Sequence, residues 1–343
     1  MHRNALRSAN NSESTPPGWA SPRMKPRIVS LLPSATEVLC LLGGEHLLVG
    51  RSHECDYPPS VAVVPVLTAP RIPPEASPAE TDRAVSEALG AGQSLYTLDE
   101  QALADLRPDL ILTQDLCAVC SIDLAAVQRA AAAIPSRPRV LSLNPRTIDA
   151  VLDDLLAVGE AAGLDPAPAV ARLRERFFAA EEYINPYADP PSVAFLEWTD
   201  PLFCAGHWTV QLIERAGAAH PLSPTVPDPC AGAAAGPQRS QRSAPPSRRI
   251  TPEELVASAP EWLVIAPCGL DLMRTRETAR VLAREPWWKA LPAVQRGRVA
   301  LVDGNQMFNR PGPRLAEAFE WLVGWLNDRP ELIPEGFQWE PFS

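Results

Sequence analysis

The residues most able to do chemistry begin with a cysteine pair, Cys117-Ala-Val-Cys120. A Cys-x-x-Cys motif serves as a redox couple or as half of a zinc site. A structural zinc site usually needs a second pair at similar spacing, and the sequence has none. Cys55 with His53 could complete such a site only if folding brought them together. His53 and His207 are separately of interest, because a neutral imidazole is a good ligand for a transition metal. The ordinary alternative for either is a histidine hydrogen-bonded to nearby backbone. Templates for catalysis are missing: no Gly-x-Ser-x-Gly, no His-Glu-x-x-His, no Walker lysine loop, and no Gly-x-Gly-x-x-Gly after the first strand. Acidic residues are numerous, but no pair stands out as an acid/base couple, and most read as solvated helix faces. The chemistry on offer is binding, and an enzyme is not expected.

The elements that must position these residues alternate. Ile28–Leu32 reads as a short buried strand, and Ser34 with Glu37 forms a Ser-x-x-Glu capping pattern for the helix that Gly43-Gly44 closes. Leu47–Gly50, Asp109–Thr113 and Val140–Leu143 read as further strands. Thr68 to Pro78 is Pro-rich and loop-like. Thr97 to Glu100 repeats the capping pattern ahead of a short helix, and Ser121 can cap a helix running through Ala133. Helical periodicity then runs from Thr147 to Ala162, and a second helix from Ala167 to Ile184 carries Val170, Leu173 and Phe177 on one face. Strands at Val193–Glu197, Trp262–Ala266 and Arg298–Val302 alternate with helices at Val210–Ala216, Thr275–Arg284 and Leu315–Asn327. Strand–helix alternation implies parallel βαβ units. The fold class is therefore α/β, with two Rossmann-like lobes of mainly parallel sheet.

The expected organisation is a disordered tail over residues 1–26, a first lobe over 27–146 and a helical connector over 147–190. A second lobe over 191–329 contains a flexible low-complexity insert at 222–249, and residues 330–343 form a C-terminal tail. A chain of 343 residues fits two lobes of ordinary size, and 46% hydrophobic residues exclude global disorder. The net charge of −10 argues against nucleic acid as a partner, because phosphate binding needs clustered Lys and Arg. The seven cysteines are scattered, and a mostly reduced compartment is the simpler reading. The N-terminal stretch has no apolar core of the kind an export signal needs, and no apolar run is long enough to span a bilayer. A cytoplasmic protein is expected, with a periplasmic one as the alternative if the start or export route is misread.

Five stretches, in this order and spacing, carry a resemblance: Ile28-Val-Ser-Leu-Leu-Pro-Ser-Ala-Thr-Glu37, Cys55-Asp-Tyr-Pro58, Leu106-Arg-Pro-Asp-Leu-Ile-Leu-Thr113, Gly297-Arg-Val-Ala-Leu-Val-Asp303 and Arg310-Pro-Gly-Pro-Arg314. The chain resembles the cobalamin-binding members of the class III substrate-binding proteins of ABC importers, the helical-backbone metal-receptor group. The resemblance implies two lobes joined by one long helix, for which Ala167–Ile184 is the candidate. It implies capture of a small molecule in the cleft between them without chemistry. An ABC permease partner and a monomeric state go with it. Relatives also bind siderophores, haem or bare metal ions. A cytosolic corrinoid-handling chaperone or enzyme is the further alternative, because no export signal is visible.

In open α/β sheets, ligands sit beyond the carboxyl ends of the strands. In the first lobe that rule selects Pro33 and Ser34, His53 to Tyr57, and Gln114 to Cys120. In the second it selects Glu197 to Asp200, Gly206-His207-Trp208, Cys268-Gly269, and Asn305 to Asn309. A corrin is large, flat and mostly apolar, and its host needs aromatic surface with a few hydrogen-bonding groups. Tyr57, Trp198, Trp208 and Phe308 would supply that surface, Trp198 foremost. Pro33, Ser34 and Gln114 would line the wall, and His53 or His207 would ligate cobalt. By resemblance to relatives with the same loop, Cys117 and Cys120 are expected to line the cleft, with a metal site or a disulfide as the minority reading.

Overall fold

The computed structural model describes residues 25–72, 76–115, 122–227 and 242–343. The first lobe runs β1 (Ile28–Ser30), α1 (Pro33–Leu41), β2 (Leu48–Arg51), β3 (Thr68–Pro70), α2 (Pro78–Gly90), β4 (Tyr96–Leu98), α3 (Glu100–Asp105), β5 (Leu110–Thr113), α4 (Leu124–Ala133) and β6 (Arg139–Ser142). Its sheet has the order β2-β1-β5-β6, with every pairing parallel. Every residue of β1 and β5 is buried, as expected of parallel strands covered on both faces. β3 and β4 form a separate antiparallel hairpin pair, and α2 lies in the chain between them.

Two helices join the lobes in the chain, α5 (Ile148–Ala162) and α6 (Ala167–Glu181). Thr147 caps α5 by accepting from the Ala150 N–H, and Gly163 ends it at φ 71°, a left-handed position suited to glycine. The second lobe then runs β7 (Val193–Thr199), β8 (Leu202–Cys204), α7 (His207–Arg215), β9 (Val226–Pro227), β10 (Arg242–Ser243), β11 (Arg248–Arg249), α8 (Pro252–Ala257), β12 (Trp262–Ile265), α9 (Leu272–Leu282), α10 (Pro292–Gln295), β13 (Val299–Val302), α11 (Leu315–Leu326) and β14 (Trp339–Pro341). Its sheet has the order β11-β8-β7-β12-β13-β14: a parallel centre, β7-β12-β13, with antiparallel strands on both sides. α6 packs against α11 and α5. One apolar core runs from Ile28 and Leu39 through Leu155 and Phe177 to Phe195, Phe319 and Trp321, so the lobes share a hydrophobic base.

Several local expectations are corrected. Ser34 does not cap α1. Pro33 opens that helix, no side chain caps it, and Ser34 and Glu37 are both buried inside it. The short helix after β4 is capped by Asp99, while Thr97 belongs to the strand. Asp123 caps α4, and Ser121 lies outside the described residues. The Pro-rich stretch from Thr68 contributes β3 before α2 begins. The flanks of the expected insert are ordered: Leu222, Ser223, Thr225 and Ala244 are buried, and β9 pairs with β10. The expected C-terminal tail instead supplies β14, paired antiparallel to β13, and Phe337 packs on Trp321 with ring centroids 5.4 Å apart. The apolar side chains Phe337 and Trp339 bury against the core, which a solvated tail would not allow.

Candidate functional site

The loop that follows β2 in the first lobe and the loop that follows β13 in the second meet through polar side chains. The loop after β13 sends Arg310 into the first lobe. Its guanidinium lies 2.6 Å from the Asp56 carboxylate and 3.3 Å from Glu37, and it donates to the Glu54 carbonyl at 3.1 Å. Asn305 donates to Asp56 at 2.8 Å and accepts from Arg310 at 3.2 Å. Arg314 lies 4.0 Å above the Tyr57 ring centre, near enough for a cation–π contact. Gly312 sits against α1: a Cβ there would be 3.2 Å from the Ser34 Cβ. This loop and α1 therefore form a closed, packed junction between the lobes.

Electrostatics sorts the roles in that junction. Burial pushes the Glu37 carboxyl up to about 7, against the pull of Arg310 and Arg314. Burial also pushes Asp56 up, but hydrogen bonding and charge from Arg310 outweigh it and hold Asp56 below the usual carboxylate range. Burial alone would lower Arg310, but Asp56 and Glu37 raise it above its ordinary value. Asp56 is thus the charged partner of Arg310, and Glu37 is the group that exchanges a proton near neutrality. Glu54 and Asp303 are both raised, chiefly by burial.

A second group of residues lies around the β3–β4 hairpin. The His53 Nδ1 is 2.7 Å from the Thr68 hydroxyl of β3, and its ring lies 5.5 Å from that of Tyr96 on β4. Tyr96 donates to Glu54 at 3.0 Å. From the second lobe, the Trp198 indole N–H points at the Asp200 carbonyl, 3.1 Å away, and at the Pro78 carbonyl at the start of α2, 3.3 Å away.

A third group is built on the start of α7. His207 has φ 49°, unusual for a residue with a side chain, and follows Gly206. A Cβ at Gly206 would lie 2.2 Å from the Ser247 backbone N, so the chain can pass only as glycine. The His207 ring stacks on Trp208 with centroids 5.6 Å apart, and the Trp208 indole donates to the Phe308 carbonyl at 2.7 Å. The Nδ1 of His207 is buried without a hydrogen-bond partner among the described residues. Burial, with Arg146 nearby, holds the imidazole below its ordinary pKa and therefore neutral at pH 7.

The expected binding residues divide accordingly. His53, Tyr57, Trp198, His207 and Trp208 lie at strand ends and are at least partly accessible. Pro33, Ser34 and Gln114 are there but buried. Phe308 is fully buried between Phe195 and Trp321, a core residue with no ring surface to offer. Cys55 is buried beneath Thr36, whose hydroxyl lies 3.0 Å from its Sγ, and burial pushes its thiol up to about 11. It is unsuited to metal ligation as placed. Among the described residues no three His, Cys, Asp or Glu side chains converge to hold a metal ion. Cys117 and Cys120 lie outside the described residues. Tyr96 has no role in the sequence reading, Glu37 is read there only as a helix cap, Arg310 only as part of a motif, and Glu54, Asp56 and Asn305 only as members of strand-end loops. A lone acid inside the apolar stretch Ile28–Leu42 was the legible sign for Glu37, and Arg310 stands in the Arg-Pro-Gly-Pro-Arg motif.

Comparison with known proteins agrees with the fold. Residues 28–305 match the family described as "Periplasmic binding protein". The sequence has no match among curated proteins. A periplasmic haem-binding protein, RhuT from Roseiflexus sp. RS-1, is similar at 21% identity and TM-score 0.63, covering 89% of this chain and 99% of its own. A periplasmic haem-binding protein from Pseudomonas aeruginosa is similar at 20% identity and TM-score 0.64, with 93% and 96% covered. The periplasmic vitamin B12-binding protein BtuF of Vibrio cholerae is similar at 18% identity and TM-score 0.58, with 89% and 98% covered. At these identities the likeness concerns the fold.

Proposed function

Because the chain belongs to the periplasmic binding protein family and is a substrate-binding protein of the ABC-importer type, not an enzyme, we propose that it captures cobalamin or a related corrinoid between its lobes. The observation that carries the reading is His207: a neutral imidazole with a buried, unpartnered Nδ1, stacked on Trp208 at the strand-end face of the second lobe. A neutral imidazole suits cobalt in a corrin. Trp198 offers aromatic surface from the same lobe, and the tilted pair His53 and Tyr96 offers it from the other. An ABC permease is the proposed partner, and no described helix is long and apolar enough to cross a membrane itself.

One observation favours haem as the second reading. Arg146 lies close enough to His207 to lower its pKa. A cation there suits the propionates of haem better than the neutral amides that fringe a corrin. Titration of the purified chain with aquocobalamin and with hemin, followed by absorbance, separates the two. We expect co-elution of the corrinoid on gel filtration at micromolar concentration and a change in its visible bands that His207→Ala abolishes. Retention of hemin alone would replace the corrinoid, and retention of neither would remove the proposal.

A further inference from the structure

α2 is a helix without a buried residue. Thirteen residues long, it begins at Pro78 behind a complete capping box, in which Ser77 accepts from the Glu80 N–H and Glu80 accepts from the Ser77 N–H. Its local structure is therefore well specified, while the apolar packing that fixes most helices to a core is missing. It is carried instead between the strands of the β3–β4 hairpin. Polar contacts tie it and the residues just before it to the opposite lobe. Arg249 of β11 donates to both Asp82 carboxylate oxygens, at 3.1 and 2.9 Å. Arg274 donates to the Ala76 carbonyl at 2.9 Å, and the Trp198 indole to the Pro78 carbonyl at 3.3 Å.

We propose that α2 is a lid, hinged on the β3–β4 hairpin and clasped to the second lobe through Asp82–Arg249 and the Ala76 and Pro78 carbonyls, whose release admits the ligand. The hairpin at its base holds the two groups that touch His53, namely Thr68 on β3 and Tyr96 on β4. The clasp ends on Trp198, so a lid that swings moves one wall of the gap away from the other. An Arg249 side chain 57% exposed makes a weak clasp, since solvent screens such a pair and a few polar contacts open at little cost. The junction at Arg310 is different in kind. There the Arg310 side chain is 7% exposed and that of Glu37 2%, so that junction stays shut while α2 opens. The role in ligand entry rests on the proposed capture of a macrocycle, whereas the motion does not.

Hydrogen exchange by mass spectrometry on the full, ligand-free chain tests the motion directly. Arg249→Ala and, from the other side, Asp82→Asn should speed exchange across 78–90 by about fivefold, the size expected for loss of an exposed ion pair. Peptides from α1 and α5 should be unchanged. The swap Asp82→Arg with Arg249→Asp should restore slow exchange. Unchanged exchange over 78–90 in both single variants would overturn the lid, as would equal acceleration throughout the second lobe. Binding of aquocobalamin or hemin enters only in a second arm, where a bound ligand should slow exchange over the same peptide. An unbound ligand with a responsive α2 leaves the lid standing and removes the capture reading alone. A bound ligand that leaves exchange over 78–90 unslowed overturns the entry role.

Discussion

Arg310 of the second lobe and Asp56 of the first meet at 2.6 Å with only 7% of the arginine side chain exposed. Glu37 lies 3.3 Å from the same guanidinium on the other side. A buried ion pair offers little net stability over a well-packed apolar pair, because desolvation offsets the attraction. Its value is positional. The partners come from residues 37, 56 and 310, so the contact sets the register of the two halves at the strand-end face, where the shared apolar base alone would leave it loose.

Arg310→Met tests that role. The variant leaves Glu37 buried without its cation, and breaking a buried pair typically costs about 3–5 kcal/mol. Glu37 can take up a proton, which trims the loss, so the melting temperature should fall by roughly 5–10 °C at pH 8 and by less at pH 5. Adding Glu37→Gln should recover part of the loss at pH 8. A variant that melts like wild type at pH 8 would show that the junction holds nothing.

Asp154 on α5 gives a pH prediction. Burial, with Asp153 beside it, pushes its carboxyl up to about 7 from an ordinary value near 4. A folded-state value above the unfolded one means the folded chain gains a proton. That contribution to stability is complete below the unfolded value and is lost as the pH rises through about 7. Asp154→Asn removes the titration. Discounted for its partial exposure, the variant should be about 1–3 kcal/mol more stable relative to wild type at pH 8 than at pH 4. Urea melts at the two pH values measure this, and a difference independent of pH would contradict it.

Much of this architecture was legible because strand and helix patterns are local. Ile28–Ser30, Leu110–Thr113 and Val299–Val302 are short apolar runs that bury on both faces, and they stand where the sequence places them. The misreadings came where one residue type serves two physical purposes. A Ser/Thr-x-x-Glu pattern caps a helix at Ser77 of α2 and Thr251 of α8, but at Ser34–Glu37 the acid turns inward to an arginine 273 residues away. No local rule reports that distance. Trp339 reads as tail because an antiparallel edge strand of three residues has almost no periodicity, and only its docking on β13 makes it a strand. In the site, His53, Trp198 and His207 followed from the strand-end rule. Tyr96 did not, because it sits on the hairpin outside the main sheet.

Gly206 is the position where backbone space decides the placement of His207. A methyl group there would meet the Ser247 N at 2.2 Å and the Pro245 carbonyl oxygen at 2.5 Å, both of them backbone. Gly206→Ala should therefore cost roughly 2–3 kcal/mol through overpacking, and should weaken ligand binding by turning the imidazole. Gly163→Ala is the control. It has φ 71° but nothing within 4 Å of the added Cβ, so only the backbone penalty of about 1 kcal/mol applies, with no effect on the ligand. Equal losses of stability in the two variants would mean that the contact at Ser247 relaxes without cost.

Arg146 supplies the last prediction, because it acts on His207 through charge. Burial is the larger reason that His207 stays neutral, and the positive charge of Arg146 adds to it. An imidazole that has taken up a proton cannot ligate a metal, so binding through His207 should persist below pH 6.5 and fail only in more acid solution. Removing a like charge favours the protonated ring and raises its pKa. Arg146→Gln should therefore move the acid limb of binding to higher pH. Arg146 is itself exposed, so the displacement should be modest. Aquocobalamin and hemin, titrated from pH 5 to 8, make the comparison. Loss of affinity in Arg146→Gln at every pH, without movement of the limb, would assign the arginine to the ligand's own charge and favour haem. A limb that moves with affinity at pH 8 intact would assign it to the histidine.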